Sequence, residues 1–264
     1  MSAAENAPFA TLGRFVLGLA SLHHLNLPSQ RQRFLQRAIE LGVRHFDVAP
    51  MYGNGLDERE LGIALRGRRS EATIATKFGI PFVPYGDWTR ALFLPLRVAD
   101  RMLPGHRARQ AARDYSVASM KASVETSLRR LQTDYIDFLL LHEPLPGAVG
   151  IDCAAVVEAA NSLQVQGKIR TFGIAGQFAA ELPWPTLPAI QVIQAPLDAI
   201  APLHFDGRRR AYFVYRHYAA AHPTREQSFV EHVTTLWDRH PDIDLLFATR
   251  SSARLEQFSG LIQR

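Results

Sequence analysis

Residues 136–141, Ile-Asp-Phe-Leu-Leu-Leu, form an almost unbroken apolar run of six. A strand with one wet face would alternate, so a run this uniform reads as a strand of a parallel sheet covered on both faces. The stretch before it is amphipathic: Val117, Met120, Val124, Leu128 and Leu131 recur in steps of three and four behind a capping Ser116. The same alternation extends outward in both directions. Upstream, Phe15 to Leu19, Val43 to Val48 and Ala72 to Lys77 read as strands. Helices are expected from a Ser29–Gln32 capping box to Gly42, and from Leu56 to Leu65. Downstream, a helix from Cys153 to Gln166 ends at Gly167, and Thr224 caps another that carries Phe229, Val230, Val233, Leu236 and Trp237. Strands are expected at Ile169 to Ile174, Ile190 to Ala195, Tyr212 to Tyr215 and Ile243 to Ala248. Residues 80–115 show no clean period and contain four prolines, which predicts a long loop or insertion.

Eight strands separated mostly by helices predict an α/β chain folded as a closed (β/α)8 TIM barrel, one domain over residues 1–264, near the usual length of ~250. About 16 residues, with Pro202 and Gly207 among them, separate the sixth and seventh strands, so that connection is expected to be shortened. No G-x-G-x-x-G turn follows any strand, which argues against a doubly wound open sheet.

Composition narrows the class further. The chain is 47% hydrophobic and 21% charged, with a mean hydropathy of −0.08, which excludes disordered and collagen-like proteins. Its apolar runs fall far short of the ~18 to 20 residues of a membrane helix, and no basic-then-apolar leader opens it. Cys153 is the single cysteine, so internal disulfides and thiolate metal clusters are excluded, and a reducing compartment fits. The expectation is a soluble cytoplasmic protein with no membrane partner. Of the 30 basic residues behind the net charge of +5, 27 are Arg and three are Lys. The runs Arg66-Gly67-Arg68-Arg69 and Arg208-Arg209-Arg210 have no interleaved aromatic platforms, so they read as solvated surface, not a nucleic-acid site.

Chemistry in such a barrel sits at the carboxyl ends of the strands. Asp47 ends strand two, Tyr52 follows it, Lys77 ends strand three and His142 ends strand four. Each has a structural explanation taken alone: a turn cap for Asp47, a loop aromatic for Tyr52 and a hydrogen-bonded strand end for His142. Lys77 stands out because the chain uses Arg nearly everywhere else, and lysine pKa shifts readily on burial. Together the four make a consistent set. An ammonium near a phenol favours phenolate and brings its pKa down from ~10. A carboxylate keeps that ammonium charged and fixed, and a neutral imidazole orients a carbonyl oxygen. Such a site delivers a proton to a carbonyl oxygen, and since no side chain donates hydride, a nicotinamide cofactor is needed.

The motifs HFDVAPMYG, ATKFG, DYIDFLLLHEP and GKIRTFGIAG, in this order, resemble the aldo-keto reductases over about residues 15–258. The resemblance implies a (β/α)8 barrel that binds NADP(H) without a Rossmann fold and reduces aldehydes or ketones to alcohols. It implies Tyr52 as general acid, tuned by Lys77 and Asp47, with His142 positioning the carbonyl. It further implies Tyr215 stacking on the nicotinamide and Gln194 holding the carboxamide, with Gln191 selected by a shift in register. Arg250, Ser251, Ser252 and Arg254 match the stretch that holds the adenosine 2′-phosphate. The chain departs from the family pattern where Ala175 and Gly176 replace a Ser-Asn pair and Phe258 replaces a frequent Asn. The stretch after Ser252 is also short, with little C-terminal loop before Arg264.

Two other readings compete. Lys77 suits the Schiff-base nucleophile of a barrel aldolase, which leaves the Arg250 and Arg254 stretch unexplained. A non-catalytic cofactor-binding barrel, sensing nicotinamide state or serving a partner, is favoured by the lost Ser-Asn pair and opposed by the complete set of four. No metal is expected, because adjacent His23 and His24 on an extended segment face opposite sides. Trp88 and Phe93 are candidates for an apolar entrance. The sequence assigns neither a particular carbonyl compound nor an oligomeric state.

Overall fold

The structure is a computed structural model and describes residues 14–90, 92–103, 112–144, 151–177, 189–196, 199, 210–214, 226–241 and 243–263. Eight parallel strands close into a barrel in sequence order, with the first paired to both the second and the eighth. They are β1 Phe15–Gly18, β2 His45–Asp47, β3 Thr73–Phe78, β4 Ile136–His142, β5 Ile169–Ala175, β6 Val192–Ala195, β7 Arg210–Val214 and β8 Ile243–Ala248. The expected barrel is therefore observed, with β8 at its predicted limits and the others shifted by one or two residues at one or both ends.

The described helices are α1 Pro28–Glu40, α2 Leu56–Ala64, α3 Tyr85–Trp88, α4 Phe93–Met102, α5 Val117–Leu131, α6 Cys153–Val165, α7 Glu226–Arg239, α8 Ser252–Gln257 and α9 Ser259–Ile262. Ser116 caps α5 as expected, its hydroxyl accepting from the Ser119 N–H at 3.1 Å. The start of α1 differs from expectation. Leu27 is the cap residue, Pro28 takes the first position, and the Gln30 side chain accepts from the Leu27 N–H at 3.1 Å. Proline fits there because that N–H lacks an intrahelical partner in any case, so the Ser29–Gln32 box is displaced. Residues 80–115 also differ, because they carry α3 and α4. Pro84 precedes α3 and Pro95 is the third residue of α4, positions where a missing N–H breaks no helical bond. Thr224 and most of the β6–β7 connection lie outside the described residues.

Alternation along the strands sorts the core into two regions. Val16, Ala75, Phe138, Leu140, Ala175, Val192 and Leu246 fill the barrel interior. Leu17, Phe46, Ile74, Leu139, Phe172, Ile193 and Leu245 pack outward against Phe34, Leu61, Met120, Val156, Val233 and other helix residues. Each such fully buried side chain contributes about 1.5 to 3 kcal/mol of burial free energy. Arg14 fastens the β1–β8 seam, donating to the carbonyls of His240 and Ile243 at 2.7 and 2.8 Å while lying over Trp237. Phe258 is fully buried against Phe15 and Phe247, so at this position the chain has a core residue.

Candidate active site

Asp47, Lys77, His142 and Gln194 continue the inward-facing row toward the carboxyl ends of their strands. Lys77 stands two residues beyond inward-facing Ala75, His142 two beyond Leu140 and Gln194 two beyond Val192. Register then brings the strand ends to one mouth, with Asp47 opposite Ala75, Lys77 opposite Leu140, His142 opposite Ala175 and Ala175 opposite Gln194.

Tyr52 reaches the same mouth from a single helical turn, Tyr52–Gly55, directly after β2. The turn depends on left-handed backbone at Gly53 (φ 53°), where a Cβ would meet His23 Cβ at 2.8 Å and Asp57 Oδ1 at 2.9 Å. The Lys77 ammonium donates to Asp47 Oδ1 at 2.7 Å and to the Val48 carbonyl at 3.0 Å, and lies 3.5 Å from Tyr52 Oη. The Tyr52 and His142 rings meet edge to face with centroids 5.9 Å apart. The four predicted residues are thus assembled, and Asp47, Lys77 and His142 are buried.

Burial opposes the charge on Lys77, but Asp47 and Tyr52 beside it outweigh that and hold its pKa above the ordinary lysine value. Burial also pushes the Asp47 carboxyl up, against the pull of Lys77 and the Gln194 amide. Lys77 therefore carries a fixed positive charge against the tyrosine oxygen.

Gln194 is buried, and its Oε1 has no hydrogen-bond partner among the described residues. Gln191 precedes β6, its N–H donating to Phe172 O, about 10 Å further down the barrel at ~3.3 Å per residue. Gln194 is consequently the glutamine at the mouth. Beside it, the Gly176 N–H donates to Gln194 O and the Ala175 carbonyl accepts from the Glu143 N–H, and neither Ala175 nor Gly176 brings a side-chain donor of its own. Arg250, Ser251, Ser252 and Arg254 lie past β8. Ser251 caps α8 by accepting from the Arg254 N–H, while the Arg250 and Arg254 guanidinium groups are exposed and bond no described residue. Tyr215 falls outside the described residues.

Several contributors carry no mark in the sequence. Tyr115, in the stretch read as loop, is buried and donates to the carbonyls of His142 and Glu143 at 2.9 and 2.8 Å. It packs where Gly79 (φ 111°) has no side chain; a Cβ there would lie 2.2 Å from the Tyr115 ring. Glu58, fully buried, accepts from Thr76 at 2.7 Å and from Arg130 at 3.1 Å, holding β3 beside Lys77. His23 and His24 lie in a helical turn, not an extended segment, with rings 4.4 Å apart, and His23 Nδ1 bonds buried Asp57 at 2.8 Å. Among the described residues no cluster of three or more His, Cys, Asp or Glu is arranged to hold a metal. No described helix is long and apolar enough to cross a membrane. The Arg66–Arg69 run is tied down locally, since Arg69 bonds Asp137 at 2.6 Å and Arg66 bonds Gln132 at 3.0 Å. Of the two aromatics considered for the entrance, Trp88 is exposed and Phe93 is buried against Tyr85.

Above Tyr52 lies a cavity of about 270 Å³ whose walls include Ala20, Met51, Asn54 and residues 80–83. A groove of about 590 Å³ between residues 79–82, Pro84 and α5 reaches Lys77 and His142.

Comparison with known proteins places this arrangement in a wider group. Among solved structures, an aldo-keto reductase from Bacillus halodurans in its holo form superposes with a TM-score of 0.71 at 21% identity, over 96% of this chain and 86% of that one. An aldo-keto reductase from Klebsiella pneumoniae in complex with NADPH gives 0.68 at 20% identity, over 96% and 86%. The chain is 34% identical over 175 residues to the uncharacterized oxidoreductase YcsN of Bacillus subtilis, covering 65% of this chain and 50% of that protein. It is 31% identical over 205 residues to the oxidoreductase YdhF of Escherichia coli, covering 74% and 60%. To the D-threo-aldose 1-dehydrogenase of a Pseudomonas species it is 28% identical over 174 residues, covering 66% and 52%. The chain spans about half the length of the curated relatives it matches. The model of the Aldo/keto reductase family matches residues 14–184, a stretch that contains β1 to β5 and with them Asp47, Tyr52, Lys77 and His142. This chain belongs to the aldo/keto reductase family.

Proposed function

We propose that this chain binds NADP(H) and reduces an aldehyde or ketone to an alcohol, with Tyr52 delivering the proton to the carbonyl oxygen. The observation that carries the reading is the Lys77 ammonium, fixed by Asp47 at 2.7 Å and set 3.5 Å from Tyr52 Oη. A buried cation there stabilises negative charge on the phenol oxygen as its proton leaves. His142, edge-on to Tyr52, orients the carbonyl oxygen toward the same hydroxyl. Bound beside them, the cofactor would supply the two electrons as hydride, which no side chain of the site can donate.

The residues present suit that cofactor. Gln194 Oε1 is a buried acceptor without a partner among the described residues, and a carboxamide N–H would suit it. The exposed Arg250 and Arg254, free of described partners, suit the 2′-phosphate, with Ser251 and Ser252 beside them. Tyr215, outside the described residues, is proposed to stack on the nicotinamide on the sequence resemblance alone. The NADPH-bound Klebsiella pneumoniae protein supports the same cofactor class.

The aldolase reading requires a neutral Lys77 amine, whereas Asp47 holds the ammonium charged. The non-catalytic reading is favoured by one observation, that neither Ala175 nor Gly176 brings a side-chain donor of its own. Titration with NADPH followed by nicotinamide fluorescence, then a panel of aldehydes, separates the cases. Turnover supports the reductase, a fluorescence change without turnover supports the binding module, and no response to NADPH removes both.

A further inference from the structure

Two arginines of α4 stand over the proton donor. Arg97 and Arg101 are four residues apart, so they share one face of the helix, and both line the 270 Å³ cavity above Tyr52. Elsewhere around this insertion, arginines meet carboxylates: Arg90 pairs with Glu60 at 2.7 Å, and Arg130 with Asp87 at 2.6 Å and Glu58 at 3.1 Å. Arg97 does not. Among the described residues its guanidinium contacts only the His24 ring, at 3.3 and 3.5 Å. Burial and neighbouring cations push His24 down to about 4, so this imidazole is neutral near pH 7 and offers Arg97 no countercharge. Arg97 is half-buried, and burial together with Arg101 pulls its own pKa below the ordinary arginine value, against a weaker opposing pull from Tyr85 and Asp57. Asp100 is the one acidic side chain among the described lining residues, so two guanidinium groups exceed it by one charge. A half-buried cation held beside a second cation is costly unless an anion arrives to share it.

We infer that the cavity above Tyr52 selects small carbonyl substrates bearing a carboxylate or phosphate, with Arg97 and Arg101 gripping the anionic group while the carbonyl faces Tyr52. The inference rests on the carbonyl-reduction reading above. A volume of about 270 Å³ is below the range typical of drug-sized ligands, ~300 to 1,000 Å³, which fits a compact substrate. Guanidinium forks suit both anions, because each presents paired oxygens for two parallel N–H bonds. Residue by residue, Tyr52 gives the proton, and the two arginines fix the far end of the molecule so that its carbonyl is held in place. Arg250 belongs to a different region, past β8, although its charge is also felt at His24.

The test compares carbonyl compounds paired with and without an anionic group: para-carboxybenzaldehyde with para-formylbenzamide, and glyceraldehyde phosphate with glyceraldehyde. The native protein should prefer at least one anionic member by tenfold or more in kcat/KM, mainly through KM, and the preference should shrink with added salt. The pair that shows it identifies carboxylate or phosphate as the anion. Arg101→Glu, a change at an exposed position, should reduce that preference at least tenfold, and Arg97→Gln should also lower it. Turnover without preference for either anion overturns the inference and leaves the reductase reading standing. A preference that neither variant alters also overturns it, as does an equal loss of NADPH affinity in both variants, which would assign the arginines to the cofactor. No turnover of any of the four compounds, after NADPH binding is established, removes the reductase reading and the inference with it.

Discussion

The Tyr115 hydroxyl donates to the backbone carbonyl of His142 at 2.9 Å, so a side chain just before α5 fixes the strand end that carries the imidazole. The same hydroxyl reaches the Glu143 carbonyl at 2.8 Å, in the residue whose φ of 48° turns the chain away from the barrel. Tyr115→Phe leaves these acceptors short of a donor, which costs ~1 to 3 kcal/mol. The expected outcome is a lower denaturation midpoint and a fall in kcat with NADPH affinity retained. Urea denaturation and steady-state kinetics check both.

Lys77→Met deletes the partner of a buried carboxylate and should abolish most turnover. Its effect on stability depends on pH in a defined direction. Burial already raises the Asp47 pKa, and Lys77 is the main influence opposing that rise. Without Lys77, the folded-state pKa rises further above its unfolded value. The variant is therefore least impaired below the unfolded pKa and loses stability as pH climbs through the folded one. In the native protein Lys77 itself has a raised pKa, so its contribution is complete below the ordinary lysine value and fades only as pH rises through the folded value. Urea denaturation of both proteins at pH 5 and pH 8 should show a larger gap at pH 8.

Arg130→Met breaks a buried connection between α2, α3 and α5. Its guanidinium bonds Glu58 at 3.1 Å and Asp87 at 2.6 and 2.7 Å. Glu58, fully buried and already pushed up by burial, would lose its cation. Removing one partner of a buried pair costs about 3 to 5 kcal/mol, so the variant should denature at markedly lower urea concentration.

Cofactor choice follows from the exposed arginines past β8. A charge-assisted hydrogen bond is worth ~1.5 to 3 kcal/mol, so the native protein should prefer NADPH to NADH by about tenfold or more. Arg250→Ala should weaken NADPH at low salt and leave NADH nearly unchanged, as read by fluorescence titration. Equal affinity of the native protein for the two nucleotides would remove the phosphate assignment.

The strands and the four strand-end residues were legible because both rest on local regularities. Uniform apolar runs mark β4, and a period of two carries Ala75 to Lys77 and Leu140 to His142 on the same face. What escaped depends on tertiary context. The pairing of His23 with Asp57 joins positions 34 residues apart, and nothing near either one announces the other. α4 was hidden by Pro95, which normally argues against helix but here occupies its first turn. The start of α1 differs from the capping-box expectation for the same reason, since Pro28 opens the helix one residue ahead of Ser29. Arg97 and Arg101 gain meaning only once α4 is placed over Tyr52.

Tyr52→Phe removes one oxygen and keeps the ring against His142 and Lys77, so it isolates the part played by the Tyr52 hydroxyl as proton donor. Single-turnover reduction of an aldehyde that the native protein accepts, with NADPH oxidation followed at saturating cofactor, measures the step itself. General acid catalysis supplies ~10²- to 10⁴-fold, so the variant should bind NADPH almost as the native protein does and lose at least a hundredfold in rate. A Tyr52→Phe protein that keeps a tenth of the native rate would exclude Tyr52 as the proton donor.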